Sequence, residues 1–120
     1  LPKNQSYLSM NGKEVYKFAV SSMYRDVQTV CDQAGVKVED VDWIVPHQAN
    51  LRIIEAAAHK LKVSGEKCLT GIENLGNPSA ASIPIVLDRA NTEGKFKAGD
   101  LLVLTAFGAG LTTGACVLRW

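Results

Sequence analysis

Hydrophobic residues recur every three or four positions between Lys13 and Ala34, a spacing that places side chains on one face of a helix. Gly35 follows directly and is a residue type that commonly ends helices. The pattern therefore predicts a long amphipathic helix over residues 13–34. Its apolar positions are Tyr16, Val20, Met23, Val27, Val30 and Ala34.

Two shorter helices are predicted further along the chain. The same spacing begins at Leu51, and a turn signal at Ser64 and Gly65 is expected to end that second helix. Residues 79–91 predict a third helix. Pro84 lies inside it and removes a backbone hydrogen bond unless the helix begins only a few residues earlier.

Short apolar segments between these helices predict β-strands. They cover residues 7–10, 41–45, 68–72, 101–107 and 112–119. The run 101–107 is apolar throughout, as expected for a strand covered on both faces. The resulting order, β-α-β-α-β-α-β-β, predicts an α/β domain with a mostly parallel sheet and one antiparallel strand.

The third helix departs from the usual pattern of a surface helix. Residues 80–87 are apolar or small on all sides, whereas a helix on one face of a sheet normally shows a polar outer side. We therefore expect a second domain or subunit to pack against it.

Composition narrows the function classes only modestly. The chain has 120 residues, of which 47% are apolar and 21% charged, as in one ordinary globular domain. Its formal net charge of +1 provides no broad field for binding nucleic acid. No apolar run approaches the roughly 20 residues of a membrane span. The expected protein is therefore soluble, with no nucleic-acid or membrane partner.

The cysteines do not form a disulfide pattern. Cys31, Cys68 and Cys116 are odd in number and widely spaced among apolar neighbours, which favours reduced thiols in the core of a cytoplasmic protein. The chain begins with Leu1 rather than Met, which favours a piece of a longer protein.

Three loops follow predicted strands, at the edge where α/β sheets carry their sites. Residues 46–50 contain His47, residues 74–79 contain Asn77, and residues 107–110 are rich in glycine. Each loop also has a purely structural interpretation. His47 suits a helix start, Asn77 before Pro78 suits a helix cap, and the glycines suit a hairpin turn.

The motifs "VDWIVPHQANLRII", "GNPSAASIP", "AFGAGLTTGA" and "MNGKEVYKFAV" together resemble the C-terminal half of β-ketoacyl-[acyl carrier protein] synthase III, a thiolase-superfamily family. The resemblance covers essentially the whole chain. It implies that residues 1–120 form one thiolase-like half, a five-stranded mixed sheet with helices, whose middle helix packs against an N-terminal half. It also implies a homodimer in the cytoplasm.

The same resemblance assigns roles to individual residues. His47 and Asn77 match the family's catalytic histidine and asparagine, which stabilise the enolate formed when a malonyl thioester loses carbon dioxide. The oxyanion loop then comprises Phe107, Gly108, Ala109 and Gly110, with a backbone N–H at Ala109 as the donor and the glycines allowing close backbone approach. Removing one such donor typically lowers the rate about 10²- to 10³-fold.

Substrates and partners follow from the same source. The family joins a short acyl-CoA to malonyl-acyl carrier protein and uses neither cofactor nor metal. Ala49 and Asn50 are expected at the pantetheine entrance. Three basic residues match positions that receive the acidic carrier protein, although each also suits an ordinary solvated surface: Arg52, Lys60 and Lys17.

The nucleophilic cysteine of this family has no counterpart here. None of the three cysteines lies in a matching motif, so the chain alone is predicted to be inactive. Three functions remain open: the C-terminal domain of a condensing enzyme that initiates fatty acid synthesis, a related priming acyltransferase or polyketide starter synthase, and a non-catalytic module that binds carrier protein.

Overall fold

A computed structural model describes residues 12–48, 50–71, 82–108 and 111–120. Three helices and three strands are present in these residues. They are α1 (Gly12–Ala34), β1 (Trp43–Pro46), α2 (Leu51–Leu61), α3 (Ser82–Thr92), β2 (Leu101–Gly108) and β3 (Thr112–Arg119). The predicted strand at residues 7–10 lies outside the described residues, as do Ala49, Asn77, Ala109 and Gly110.

The three strands form one mixed sheet in the order β1-β2-β3. β1 pairs with β2 in parallel, with Ile44 opposite Val103, and β2 pairs with β3 antiparallel, with Val103 opposite Val117. The predicted α/β architecture with one antiparallel strand is therefore confirmed. The expected sheet of five strands is three-stranded in the described part of the chain.

The predicted strand at residues 68–72 is wrong for its described part. Cys68 forms a single parallel bridge beside Ile44, and the N–H of Leu69 donates to the Ile44 carbonyl oxygen at 2.9 Å. Beyond that point the backbone bonds a side chain instead of a strand. The carbonyl of Leu69 and the N–H of Gly71 both pair with the amide of Gln48, at 3.2 and 3.0 Å.

Helix α2 ends earlier than predicted. Lys62 takes a left-handed conformation with φ of 60°, and its N–H donates to the Ala58 and His59 carbonyls. Ser64 caps a separate 3-10 turn, Gly65–Lys67, by accepting from the Glu66 N–H at 3.3 Å. The turn signal at Ser64 therefore begins a new element and does not end α2.

The sheet is covered on both faces, as the apolar run in β2 predicts. On one face, α1 and α2 pack against Ile44, Leu101 and Val103. On the other, Val86 and Ala90 of α3 pack against Val45 and Leu102. These alternating contacts make a three-layer arrangement, which leaves the ends of the strands open for a site.

Candidate active site at the carboxyl end of β1

His47 follows the last residue of β1, at the edge where the sequence places the site. Its backbone N–H donates to the Thr105 carbonyl at 2.9 Å, which continues the β1–β2 ladder by one bond. The imidazole meets the ring of Phe107 edge-on, with centroids 5.2 Å apart and planes at 84°. Backbone and ring contacts therefore hold the side chain in one orientation.

The imidazole also contacts α3 at this end of the sheet. Its Nδ1 lies 2.9 Å from the Oγ of Ser82, the first described residue of that helix. The backbone N–H of Gln48 donates to the same oxygen at 3.3 Å. Sequence reasoning missed Ser82. It stands in the matched motif "GNPSAASIP", but one serine among small residues carries no signal of the histidine it bonds.

Burial keeps the imidazole uncharged. His47 is half-buried, and desolvation lowers the pKa of its side chain below the usual 6.5. A neutral imidazole predominates at pH 7. Such a ring has one N–H donor and one bare nitrogen acceptor, so which nitrogen carries the proton decides its chemistry.

Gln48 is a second residue that sequence reasoning missed. Its side chain is 0% exposed, and its Nε2 donates to the carbonyls of Pro46, at 2.7 Å, and Leu69, at 3.2 Å. Its Oε1 accepts from the Gly71 N–H at 3.0 Å. One amide therefore joins the end of β1 to the segment that leads toward Asn77. The backbone partners of Gln48 come from separate segments of the chain, so no spacing in the sequence indicates them.

Asn50 and Arg52 both lie at the start of α2. The side chain of Asn50 accepts from the Arg52 N–H at 2.8 Å, which makes Asn50 the N-cap of the helix. Asn50 is exposed, so its cap role leaves it at the surface where the pantetheine entrance is expected. Arg52, the second residue of the helix, is also exposed.

The predicted oxyanion loop is described only at Phe107 and Gly108. Both belong to β2, where they pair with Thr113 and Thr112, so the strand runs one residue further than predicted. A Cβ added at Gly108 meets no described atom within 4 Å. The ring of Phe107 has a role that the sequence did not suggest, because it packs against His47.

The predicted carrier-protein residues divide between two helices that pack together. Lys17 is exposed on α1, whereas Arg52 and Lys60 are exposed on α2. The ammonium of Lys60 lies 4.7 Å above the centre of the Tyr24 ring, which also belongs to α1. Lys60 is thereby held against the helix that carries Lys17.

The cysteines differ from one another. Cys31 and Cys68 are buried as predicted, whereas Cys116 on β3 is exposed, which contradicts the prediction of a core thiol. Burial raises the pKa of the Cys68 thiol to about 11. Burial, and secondarily the carboxylate of Asp32, raises the pKa of Cys31. Neither buried thiol is prepared to act as a thiolate at neutral pH.

In residues 12–48, 50–71, 82–108 and 111–120, no three His, Cys, Asp or Glu side chains are grouped to hold a metal ion. No helix in the same part of the chain is long and apolar enough to cross a membrane.

The fold and the site together define an α/β domain that has a mixed sheet, with a half-buried histidine at the carboxyl end of one strand. Residues 31–120 match the family described as 3-oxoacyl-[acyl-carrier-protein (ACP)] synthase III C terminal. The chain belongs to this family and corresponds to the C-terminal half of its members.

Curated and solved relatives agree with that assignment. Beta-ketoacyl-[acyl-carrier-protein] synthase III of Oceanobacillus iheyensis is 51% identical over 117 residues, which is 98% of this chain and 38% of the relative. The crystal structure of 3-oxoacyl-[acyl-carrier-protein] synthase III from Aquifex aeolicus is 51% identical, with a TM-score of 0.93, over 98% of this chain and 38% of that one. The corresponding Thermus thermophilus structure is 45% identical, with a TM-score of 0.93, over 97% of this chain and 36% of that one. The chain thus spans less than two fifths of the relatives that it matches.

Proposed function

We propose that this chain is the C-terminal catalytic domain of a condensing enzyme that joins a short acyl-CoA to malonyl-acyl carrier protein with decarboxylation. The observation that carries the proposal is the placement of the His47 imidazole at the carboxyl end of β1, in contact with Ser82 and Phe107. Membership of the synthase III family supports the choice of substrates. We further propose that the enzyme acts in the cytoplasm.

The proposed role of His47 is electrostatic. When the bond from the malonyl carbon to carbon dioxide breaks, its electron pair moves onto the thioester and places negative charge on the thioester oxygen. An imidazole N–H aimed at that oxygen stabilises the charge, and the amide of Asn77 supplies a second donor. The enolate carbon then attacks the acyl group on the nucleophilic cysteine, whose sulfur leaves as thiolate. A neutral, oriented donor suits this task because it needs no reorganisation during the reaction.

The acyl-transfer step needs a separate donor. We assign it to the backbone at residues 107–110, with Ala109 as the donating position. Phe107 lies against His47, which supports the idea that the two oxyanion sites share one end of the sheet.

The nucleophile belongs to the N-terminal half of the enzyme in this proposal. The raised pKa values of Cys31 and Cys68 support this, because both thiols stay protonated at neutral pH. The same N-terminal half would cover the apolar side of α3, and the complete enzyme would form a homodimer. The chemistry calls for no metal or cofactor beyond the two thioester substrates.

Carrier-protein binding is assigned to the exposed basic residues of α1 and α2. Arg52 stands nearest the site in sequence, five residues after His47, and its planar guanidinium suits a phosphate or carboxylate. Lys60 and Lys17 extend the basic surface along the two packed helices, while Ala49 and Asn50 line the entrance for the pantetheine arm.

A two-step assay of the complete enzyme tests the role of His47. Decarboxylation of malonyl-acyl carrier protein and formation of the acyl-enzyme are measured separately for His47→Ala, Asn77→Ala and the control His59→Ala. His59 is the other histidine of the chain and is exposed on α2. We expect both site variants to lose decarboxylation by about 10²- to 10³-fold, to keep most acyl transfer, and to retain their circular dichroism. Loss of acyl transfer with decarboxylation intact would instead make His47 an activator of the nucleophile.

A further inference from the structure

We propose that Ser82 is a positioning residue that fixes His47 as the tautomer with its proton on Nε2. The catalytic consequence rests on the proposed function of His47, whereas the tautomer itself does not. Ser82 lies 35 residues beyond His47 in sequence, and the tertiary fold brings their side chains together at the end of β1.

The hydrogen bonds at Ser82 limit what its hydroxyl can do. The Oγ carries one proton and two lone pairs. One lone pair receives the N–H of Gln48 at 3.3 Å, and that N–H is a fixed backbone donor whose role cannot reverse. Nδ1 of His47 lies 2.9 Å from the same oxygen. The remaining question is whether the serine donates to Nδ1 or accepts from it.

Burial favours the first of these arrangements. Ser82 is 1% exposed, so its hydroxyl proton needs an acceptor inside the protein. Nδ1 is the acceptor that the described residues offer. If Nδ1 carried the ring proton, the serine would accept twice, and its own proton would need the carbonyl of residue 78 or 79, which lie outside the described residues. We therefore assign the tautomer from the bonding pattern, with Ser82 donating to Nδ1 and the ring proton on Nε2.

The assignment gives the other ring nitrogen its function. With Nδ1 occupied by Ser82, the neutral ring presents Nε2–H, a donor, away from α3. The opposite tautomer would present a bare lone pair and would repel a developing oxyanion. Phe107 holds the ring edge-on, and the backbone of His47 bonds Thr105 at 2.9 Å, so the donor's direction is restrained as well as its identity.

Nitrogen NMR of the complete enzyme tests the assignment directly. Histidine is labelled with ¹⁵N, and the His47 signals are assigned by their absence in His47→Gln. Unaltered enzyme should carry the His47 ring proton on Nε2. In Ser82→Ala the ring should show a mixture of tautomers or a mobile ring, and Ser82→Thr, which keeps a hydroxyl, should restore the signal of the unaltered enzyme.

Kinetics supply the second readout. Ser82→Ala should lower malonyl decarboxylation at least tenfold and leave acyl-enzyme formation nearly unchanged, with Ser82→Thr recovering part of the loss. Ser22→Ala is the matched control, because Ser22 is also buried in a helix but donates to carbonyls of its own helix, at 2.7 Å to Phe18. That control should leave both the tautomer and the rate as they are.

Several results would overturn the proposal. A ring proton found on Nδ1 in unaltered enzyme would do so without any variant, even if Ser82→Ala fails to fold. Equal behaviour of Ser82→Ala and Ser22→Ala in both readouts would also do so. If the tautomer changed in Ser82→Ala while decarboxylation did not, the assignment of Ser82 would stand and the catalytic role of His47 would fall.

Discussion

Gln48 uses every hydrogen-bonding atom of its amide inside the protein. Both of its donor bonds and its acceptor bond go to backbone groups, and no part of the side chain is exposed. Because buried backbone groups lose water as partners, the amide takes the place of solvent for three of them. Gln48, which is next to the candidate catalytic residue His47, therefore stabilises the backbone at the end of β1.

Replacing that amide should destabilise the protein. Gln48→Leu keeps the approximate volume but leaves two carbonyls and one N–H without partners, each at about 1–3 kcal/mol. We expect the free energy of unfolding to fall by about 3 kcal/mol or more, measured by urea denaturation. Gln28→Leu, at an exposed position of α1, is the control and should change it by less than about 0.5 kcal/mol. A small effect of Gln48→Leu would show that water reaches these groups.

His47 should make stability depend on pH in a defined direction. Its folded pKa is lowered by burial, whereas in the unfolded chain it returns to about 6.5. The unfolded state therefore binds more protons just below pH 6.5, so the contribution is fully present above that pH and is lost as pH falls through the folded pKa.

The measurement compares unaltered protein with His47→Gln between pH 5 and 8, by denaturation at each pH. The difference in unfolding free energy between the two proteins should decline toward acid pH. NMR titration of the His47 ring should give a midpoint below 6.5. A difference that is constant across the range, or grows toward acid pH, would contradict the burial argument.

At the level of elements, regular periodicity proved to be the most dependable sequence signal. The amphipathic repeat of α1 and the strand at Thr112–Arg119 are both confirmed. The site location after β1 could also be predicted, because strand ends are recognisable in sequence. The strand expected at residues 68–72 failed because Gln48 pairs with the backbone of Leu69 and Gly71 in place of a neighbouring strand. The hydrophobic pattern of a sequence does not indicate where a side chain takes over the hydrogen bonds of a neighbouring strand.

Other elements failed for equally local reasons. Lys62 ends α2 in a left-handed conformation that sequence rules reserve for glycine. Cys116 has apolar neighbours in sequence but lies on the antiparallel strand β3, where alternate side chains point away from the core. Ser82 and His47 meet only because α3 returns across the sheet, so their pairing required the tertiary structure.

At the end of α2, we expect glycine substitutions at two nearby positions to change the stability of the protein in opposite directions. Lys62→Gly should stabilise the protein by up to about 1 kcal/mol, since glycine takes φ of 60° without the steric cost that lysine bears. Lys60→Gly, two residues earlier within the helix, should destabilise it by about 1 kcal/mol. Thermal unfolding of the two variants measures both effects. If Lys62→Gly destabilised the protein as much, the left-handed cap would not be the conformation in solution.

For the whole molecule, the two faces of the sheet have unequal cores. Among the described residues, the face under α1 and α2 contains most of the buried hydrophobic side chains, whereas the face under α3 has a smaller set around Val86, Ala90 and Leu102. Regions with less buried apolar surface open more readily. We therefore expect the layer that contains Ser82 to be the less stable one when this chain is isolated.

Hydrogen exchange should reveal that inequality. In the isolated chain, amides of α3 are expected to exchange sooner than those in the middle of α1, as measured by mass spectrometry of peptides. In the complete enzyme, α3 should gain protection because our proposal places the N-terminal half against it, while α1 should change less. Equal exchange of α3 in the two proteins would argue against that packing.

The bond between Ser82 and His47 has one consequence for ligand binding. Ser82 is the first described residue of α3, and the ring it contacts stands at the end of β1, so this contact couples docking of the helix to the order of the candidate catalytic side chain. By thermodynamic linkage, a ligand that requires the ordered ring also favours the docked helix. Substitutions on the remote side of α3 that loosen its docking should therefore weaken ligand affinity before they cost the protein its fold.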